Sequence, residues 1–317
     1  MYIKEELRHR HIKQLKEFPV VFSIEITNNC NAKCWFCPPH NRNRMSRKKG
    51  YMEFSVFRKI IDELKPMSDR IKSVALFMDG EPTLHPELMK FIEYASFSNI
   101  KNLYLSSNME YFTPELTDKI FEAVLGETLQ YVMCSLDGAS RDIHNKSRIG
   151  IDYNKAVSNT LYLIERRNAT KSLYPMIFTR LLVSDLTINS VKKFKRFWGG
   201  RADKVICYKM HNWGGKLEGR APKLSEEGVE FSPCYFPFSQ CAIQFDGTIR
   251  LCCVDCDGSV DLGNVRDNTI KNIMLSDKIE KIRNSHLEKD VNGLPKICTE
   301  CSYPRKGMWV APFYWRT

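Results

Sequence analysis

Three cysteines, Cys30, Cys34 and Cys37, fall in one short segment, Cys30-Asn31-Ala32-Lys33-Cys34-Trp35-Phe36-Cys37. Thiolates this close can hold one metal centre, but three are one short of the four that close a zinc or iron–sulfur site. Either a fourth ligand comes from elsewhere, or one metal is left open to bind a group that reacts. His40, three residues after Cys37, would complete a small structural zinc site, and spacing alone leaves both outcomes open.

A second set lies near the C-terminus. Of the twelve cysteines, seven come after residue 231: Cys234, Cys241, Cys252, Cys253, Cys256, Cys298 and Cys301. The turn Phe245-Asp246-Gly247-Thr248 separates Cys234 from Cys252, so a hairpin would bring those two together. The pair Cys298-x2-Cys301 would then close a site of four thiolates, which suits iron–sulfur or a zinc ribbon. Cys253 or Cys256 could stand in for Cys252. The spare cysteines, Cys134 and Cys207 among them, read as small buried apolar residues.

The elements that must position these groups are readable from alternation. Strand-like runs are Val20–Ile26, Ile71–Phe77, Asn102–Leu105, Gln130–Cys134, Met176–Val183 and Lys204–Lys209. Helical segments between them are Ser55–Leu64, Pro86–Ser96, Thr113–Leu125, Asn154–Arg167 and Ser190–Trp198, with Pro86 and Pro114 suited to first turns. Such alternation predicts βαβ units around a parallel sheet. Six strands are too few for a closed eight-stranded barrel, and functional groups are expected at the C-terminal strand ends. Three polar motifs follow strands there: Met78-Asp79-Gly80-Glu81-Pro82, Ser106-Ser107-Asn108 and Ser135-Leu136-Asp137-Gly138.

Together these motifs resemble the radical S-adenosylmethionine (SAM) enzymes, and the late cysteines resemble the twitch form of their SPASM extension. The resemblance implies a partial (β/α)6 barrel of the TIM type followed by a small cysteine-rich iron–sulfur domain. It implies that Cys30, Cys34 and Cys37 hold a 4Fe–4S cluster whose fourth iron binds SAM, with Phe36 near the adenine. Gly80, Glu81 and Pro82 match the motif that holds the methionine amine, although Asp79 stands where the family has a glycine. Asn108, Ser135 and Asp137 match the adenosine-contacting strand ends. His144 and Arg148 match a downstream pattern whose arginine pairs with the SAM carboxylate. Cys234, Cys252, Cys298 and Cys301 match the ligands of one auxiliary 4Fe–4S cluster. The domains expected are a basic extension 1–19, the core barrel 20–215, a linker 216–230 and the auxiliary domain with its tail 231–317.

The activity implied is generation of a 5′-deoxyadenosyl radical and oxidation of a small polar alcohol, sugar-like or aminocyclitol-like, with the auxiliary cluster accepting an electron. Arg180, on the fifth strand, is the candidate for handling the hydroxyl proton. Cys253 is the first candidate for a hydrogen-atom donor, which would make the enzyme an epimerase instead. A peptide-modifying maturase is a further alternative, and a non-enzymatic zinc and nucleic-acid protein a distant one, since it leaves the strand-end motifs unexplained. Net charge of +11 suits an anionic small-molecule substrate. The basic run Arg42, Arg44, Arg47, Lys48 and Lys49 reads as a solvated loop or an electropositive lip over the site. An electron donor such as flavodoxin or ferredoxin is expected. No apolar stretch spans a bilayer and no signal peptide is evident, so a reducing, cytoplasmic setting is expected. The aromatic tail from Met308 to Trp315 reads as a cap on the site or as part of the barrel wall.

Overall fold

The computed structural model describes residues 18–40, 45–123, 128–217 and 230–304, without the His40 side chain. Arg42, Arg44, residues 1–17, most of the linker and the aromatic tail lie outside the described residues. Six strands, β1 (Val21–Ile24), β2 (Ser73–Ala75), β3 (Leu103–Ser107), β4 (Leu129–Ser135), β5 (Met176–Val183) and β6 (Lys204–Lys209), pair in chain order and all in parallel. Every residue of β1 is buried, as expected of a parallel strand covered on both faces. This is the partial barrel, and its parallel order brings every C-terminal strand end to one mouth.

The crossover helices are α1 (Phe54–Leu64), α2 (Leu88–Phe97), α3 (Pro114–Glu122), α4 (Arg141–Ser147), α5 (Tyr153–Ala169) and α6 (Val191–Trp198). Helix α1 buries Val56, Phe57, Ile60, Ile61 and Leu64, a stripe at three- and four-residue spacing. Pro114 takes the first turn of α3, behind a Thr113 cap that accepts from the Leu116 amide. Pro86 does not do the same for α2. The Glu87 amide donates to His85 Nδ1 at 3.1 Å, so the turn runs on and the helix begins only at Leu88. Helix α4 has no sequence precedent in the strand–helix alternation.

The C-terminal segment adds to the same sheet. Strand β7 (Gln240–Ile243) pairs in parallel with β1, Val21 opposite Gln240, and β8 (Thr248–Arg250) and β9 (Asp261–Asn264) follow antiparallel. The order is therefore β6-β5-β4-β3-β2-β1-β7-β8-β9, and β7 covers what would be an open β1 edge. Gly247 makes the β7–β8 turn at φ +92°, and a Cβ there would sit 2.7 Å from Asn264 Oδ1. Short helices α7 (Phe236–Ser239), α8 (Ile270–Met274), α9 (Asp277–Glu288) and α10 (Lys296–Glu300) pack around this extension. No described helix is long and apolar enough to cross a membrane.

Candidate active site

The first cysteine loop leaves the end of β1 and is pinned by its own backbone. Thr27 Oγ1 donates to Gly50 O at 2.7 Å and accepts from the Asn29 amide at 3.0 Å. Asn28 exchanges bonds with Lys48 O and the Gly50 amide, both at 2.9 Å. Farther on, the Cys37 amide donates to Cys34 O at 3.0 Å and the Lys33 amide to Ile149 O at 2.7 Å. Asn108 Nδ2 donates to Asn31 Oδ1 at 2.9 Å, tying the loop to the end of β3.

The three thiols open onto one cavity of about 490 Å³ at the barrel mouth, a size that takes a cofactor-sized ligand. Of the residues the motifs single out, Phe36, Gly80, Glu81, Asn108, Ser135, Arg148, Arg180 and Cys253 also line it. Pro82 and Asp137 do not. Asp137 is fully buried: Ser147 Oγ donates to it at 3.0 Å, the Leu182 amide at 2.8 Å, and Arg148 Nε lies 3.1 Å away. It stands behind Arg148 and holds that guanidinium, which lies 5.4 Å from the Phe36 ring. His144 is buried as well, against Tyr153, and burial followed by the Arg148 charge lowers its pKa to about 4.

Gly80 and Glu81 line the cavity and also tie the strand ends together. A Cβ on Gly80 would lie 2.2 Å from Thr27 O and 2.7 Å from Asn29 O. The glycine therefore lets the β2 end touch the cysteine loop, and the Glu81 amide donates to Asn29 O at 2.8 Å. The Glu81 carboxylate is buried and already accepts four bonds. Thr83 Oγ1 and Ser107 Oγ donate at 2.8 Å, the Thr83 amide at 3.2 Å, and the Asn108 amide at 2.7 Å. Burial pushes its pKa up against these donors.

Burial, and then the Glu81 charge, push the Cys30 thiol up to about 12. Cys37 is raised well above its ordinary value, by burial and then by Cys34 and Cys30. Soft thiols kept neutral by burial are the donor set an iron–sulfur centre deprotonates and binds. Polar strand ends face them across the cavity, so the chain's own groups fit a cluster together with a polar ligand. The late cysteines form a second group. Burial raises Cys252 well above its ordinary value, as do Cys253, Cys234 and Cys298 beside it. Cys298 is raised by burial and then by Cys234 and Cys301. All four expected thiols are buried, and Cys253, the alternative to Cys252, lines the cavity. Among the described residues no three His, Cys, Asp or Glu side chains converge as tightly as a single ion requires.

The far wall brings residues no motif announced: Tyr208, Lys209, His211, Trp213, Gln240 and Tyr303. The strand-end rule could have flagged 208–213, which follow β6; nothing flagged Tyr303. Burial lowers the His211 pKa to about 4, and its Nδ1 accepts from the Trp213 amide at 3.1 Å, which leaves Nε2 carrying hydrogen. Arg180 Nη2 donates to Ser135 Oγ at 2.8 Å, with its guanidinium 5.2 Å from the Tyr208 ring. Of the basic run, Lys48 and Lys49 are exposed but Arg47 is only partly so, its side chain 10% exposed, which neither a solvated loop nor a lip explains.

A family model described as the radical SAM superfamily matches residues 24–180. Another, described as an iron-sulfur cluster-binding domain (SPASM), matches residues 234–302. The chain is 20% identical over 284 residues to an S-adenosyl-L-methionine-dependent 2-deoxy-scyllo-inosamine dehydrogenase of Niallia circulans, covering 89% of this chain and 92% of that one. It is 25% identical over 130 residues to an AdoMet-dependent heme synthase of Methanosarcina barkeri, a match that covers 41% of this chain and only 34% of the synthase. Among solved structures, BtrN in complex with AdoMet and 2-DOIA has a TM-score of 0.60 at 16% identity, covering 90% of this chain and 93% of that one. Streptococcus suis SuiB bound to precursor peptide SuiA has a TM-score of 0.66 at 14% identity, covering 87% and 70%. At these identities the structures speak for the fold alone.

Proposed function

The chain belongs to the radical SAM superfamily and carries a SPASM iron–sulfur domain, and from that premise we propose that it oxidises an alcohol carbon of a small polar substrate held in the cavity. Its cofactors are SAM and two 4Fe–4S clusters. In this reading Cys30, Cys34 and Cys37 hold the first cluster, and Cys234, Cys252, Cys298 and Cys301 the second. When bound, these groups supply a 5′-deoxyadenosyl radical that takes a hydrogen atom and an acceptor for the electron left on the substrate. The carrying observation is that one cavity runs from the first three thiols to Cys253, Val254 and Tyr303, beside the second set.

The residues divide the work. Arg148 and Ser135 meet the SAM carboxylate, Asn108 meets its adenosine, and Phe36 packs against the adenine. Glu81 and Asp137 hold those groups in place from behind. The Arg180 guanidinium offers only N–H donors, so it orients the substrate oxygen rather than removing its proton. His211 adds a second N–H on the same wall. The alcohol proton leaves to solvent at the rim, where Lys209 is exposed. Neither Arg180 nor Lys209 has a carboxylate partner among the described residues, which favours a substrate with an anionic group. A donor such as flavodoxin or ferredoxin supplies the electron that starts each turnover.

The test uses alcohols deuterated at the carbinol carbon, with 2-deoxy-scyllo-inosamine and cyclitol and sugar phosphates as the panel. Anaerobic turnover with SAM and dithionite should give a ketone and one deuterium in 5′-deoxyadenosine. If no alcohol in the panel accelerates 5′-deoxyadenosine release, the reading fails. A second reading rests on Cys253 in the cavity wall: a thiol there could return a hydrogen atom and invert the carbon. It predicts an epimer carrying solvent hydrogen, with no ketone.

A further inference from the structure

Asp79 departs from the motif around it, and the basic run contains one arginine that is not at the surface. The structure joins the two. Arg47 donates to both oxygens of Glu25, at 2.9 Å each, and to Asp79 Oδ2 at 2.9 Å. Arg250 Nη1 donates to the same Asp79 oxygen from the opposite side. The side chains of Glu25, Asp79 and Arg250 are fully buried and that of Arg47 is 10% exposed. Two carboxylates and two guanidiniums, formally balanced in charge, thus form one cluster at the cavity wall, which Asp79 also lines.

Each guanidinium spends a remaining donor on the same short loop. Arg250 Nη2 donates to Cys253 O at 3.1 Å, and Arg47 Nε donates to Cys256 O at 2.7 Å. The Cys253 amide is held from the other side by Gln240 Oε1 at 3.0 Å, and Gln240 Nε2 donates to Ser23 Oγ at 3.0 Å. Next to Arg47, the Ser46 amide donates to Asp257 Oδ1 at 2.9 Å. Asp79, just after β2, therefore binds Arg47 of the 45–50 segment and Arg250 of β8, and both arginines reach on to the 252–257 loop. That loop carries Cys252 toward the second thiol group and Cys253 toward the cavity.

We propose that Asp79 is a positioning residue that braces the 252–257 loop, through Arg250 and Arg47, against the strand end that builds the first site. A glycine at 79 would leave both arginines with Glu25 as their only acid. Buried charge without a partner is strongly unfavourable, so the loop would give way to let water in. The brace goes beyond the proposed reaction and holds whichever substrate the cavity takes, because it sets the relation of the two thiol groups rather than the chemistry between them.

Hydrogen exchange on the anaerobically loaded protein tests this without substrate. Asp79→Asn removes the charge and keeps the shape. The paired variant Asp79→Asn/Arg250→Gln accompanies it, because it restores neutrality while giving up the reach to Cys253 O. Both should raise exchange in residues 45–50 and 252–258 about tenfold or more while β3 to β5 exchange as before. Iron content should hold, and Asp79→Glu should restore part of the protection. In turnover, 5′-deoxyadenosine released per product should rise, since SAM cleavage persists while the wall opposite it loosens. Unchanged exchange at 252–258 in both variants overturns the proposal. So does acceleration spread evenly over the sheet, which would make Asp79 a general stability residue.

Discussion

Replacing Glu81 by glutamine separates two roles for this side chain. As a ligand contact, its charge would meet the SAM amine directly. As the structure has it, the carboxylate is spent on Thr83, Ser107 and Asn108. A glutamine can aim its NH2 at the two hydroxyls, which can turn to accept it. The Thr83 amide then loses its acceptor, the Ser107 hydroxyl must turn although its oxygen already accepts from the Met109 amide at 2.9 Å, and the Asn108 bond loses its charge. A lost amide acceptor and a lost charge assistance cost about 1–3 kcal/mol together. Burial works the other way, since it raises the Glu81 pKa and glutamine sheds that desolvation cost. The net expectation is about 1–2 kcal/mol, felt as displacement of Ser107 and Asn108, so SAM should bind about 5- to 30-fold more weakly. Equilibrium dialysis of labelled SAM against the anaerobic protein measures this, with thermal unfolding alongside. A loss beyond about a thousandfold with unchanged stability would mean a direct ammonium–carboxylate contact and would refute the positioning argument.

The second thiol group makes a sharper count. Cys252→Ser should lower bound iron from about eight to about four per chain, whereas Cys253→Ser should leave it near eight; inductively coupled plasma analysis reads both, and the reverse result would reassign the ligand. Gly80→Ala drives a methyl into Thr27 O and Asn29 O, at 2.2 and 2.7 Å, which are backbone atoms of the cysteine loop. It should cost about 3 kcal/mol in denaturant unfolding and much of the brown colour, and a stable brown variant would show that the contact yields cheaply. His144 is neutral when folded because burial lowers its pKa from 6.5 to about 4. The unfolded chain binds its proton more readily, so the stability His144 contributes is present above pH 6.5 and lost as pH falls through about 4, about 3 kcal/mol in all. His144→Gln should flatten that part of the acid limb in unfolding titrations, and an unaltered slope would mean that His144 is charged in the fold.

Local chemistry was legible in the sequence, and long-range placement was not. Strands β5 and β6 begin and end as their apolar runs predict, and Pro114 opens its helix as expected. Helix α4 was invisible because its seven residues, Arg-Asp-Ile-His-Asn-Lys-Ser, hold a single apolar side chain and show no period. Asp137 matched an adenosine-contacting strand end, and nothing in Ser-Leu-Asp-Gly announces Leu182 or Arg148 as its partners. Asp79 stood only as a departure from its motif, Arg47 as part of a solvated loop or lip, and Arg250 not at all, since burial of a charge depends on a partner that lies far away in sequence. The same distinction divides the cavity. Its near wall is built by segments that immediately follow β1 to β4, so a motif and its place travel together in the chain. Its far wall comes from 208–213, 253–254 and 302–303, and the last two are carried there by β7 pairing with β1, Val21 against Gln240. An apolar run can announce a strand, but not which edge it will cover. The near wall was therefore readable one motif at a time, whereas the late segments of the far wall joined it only when the sheet added its seventh strand.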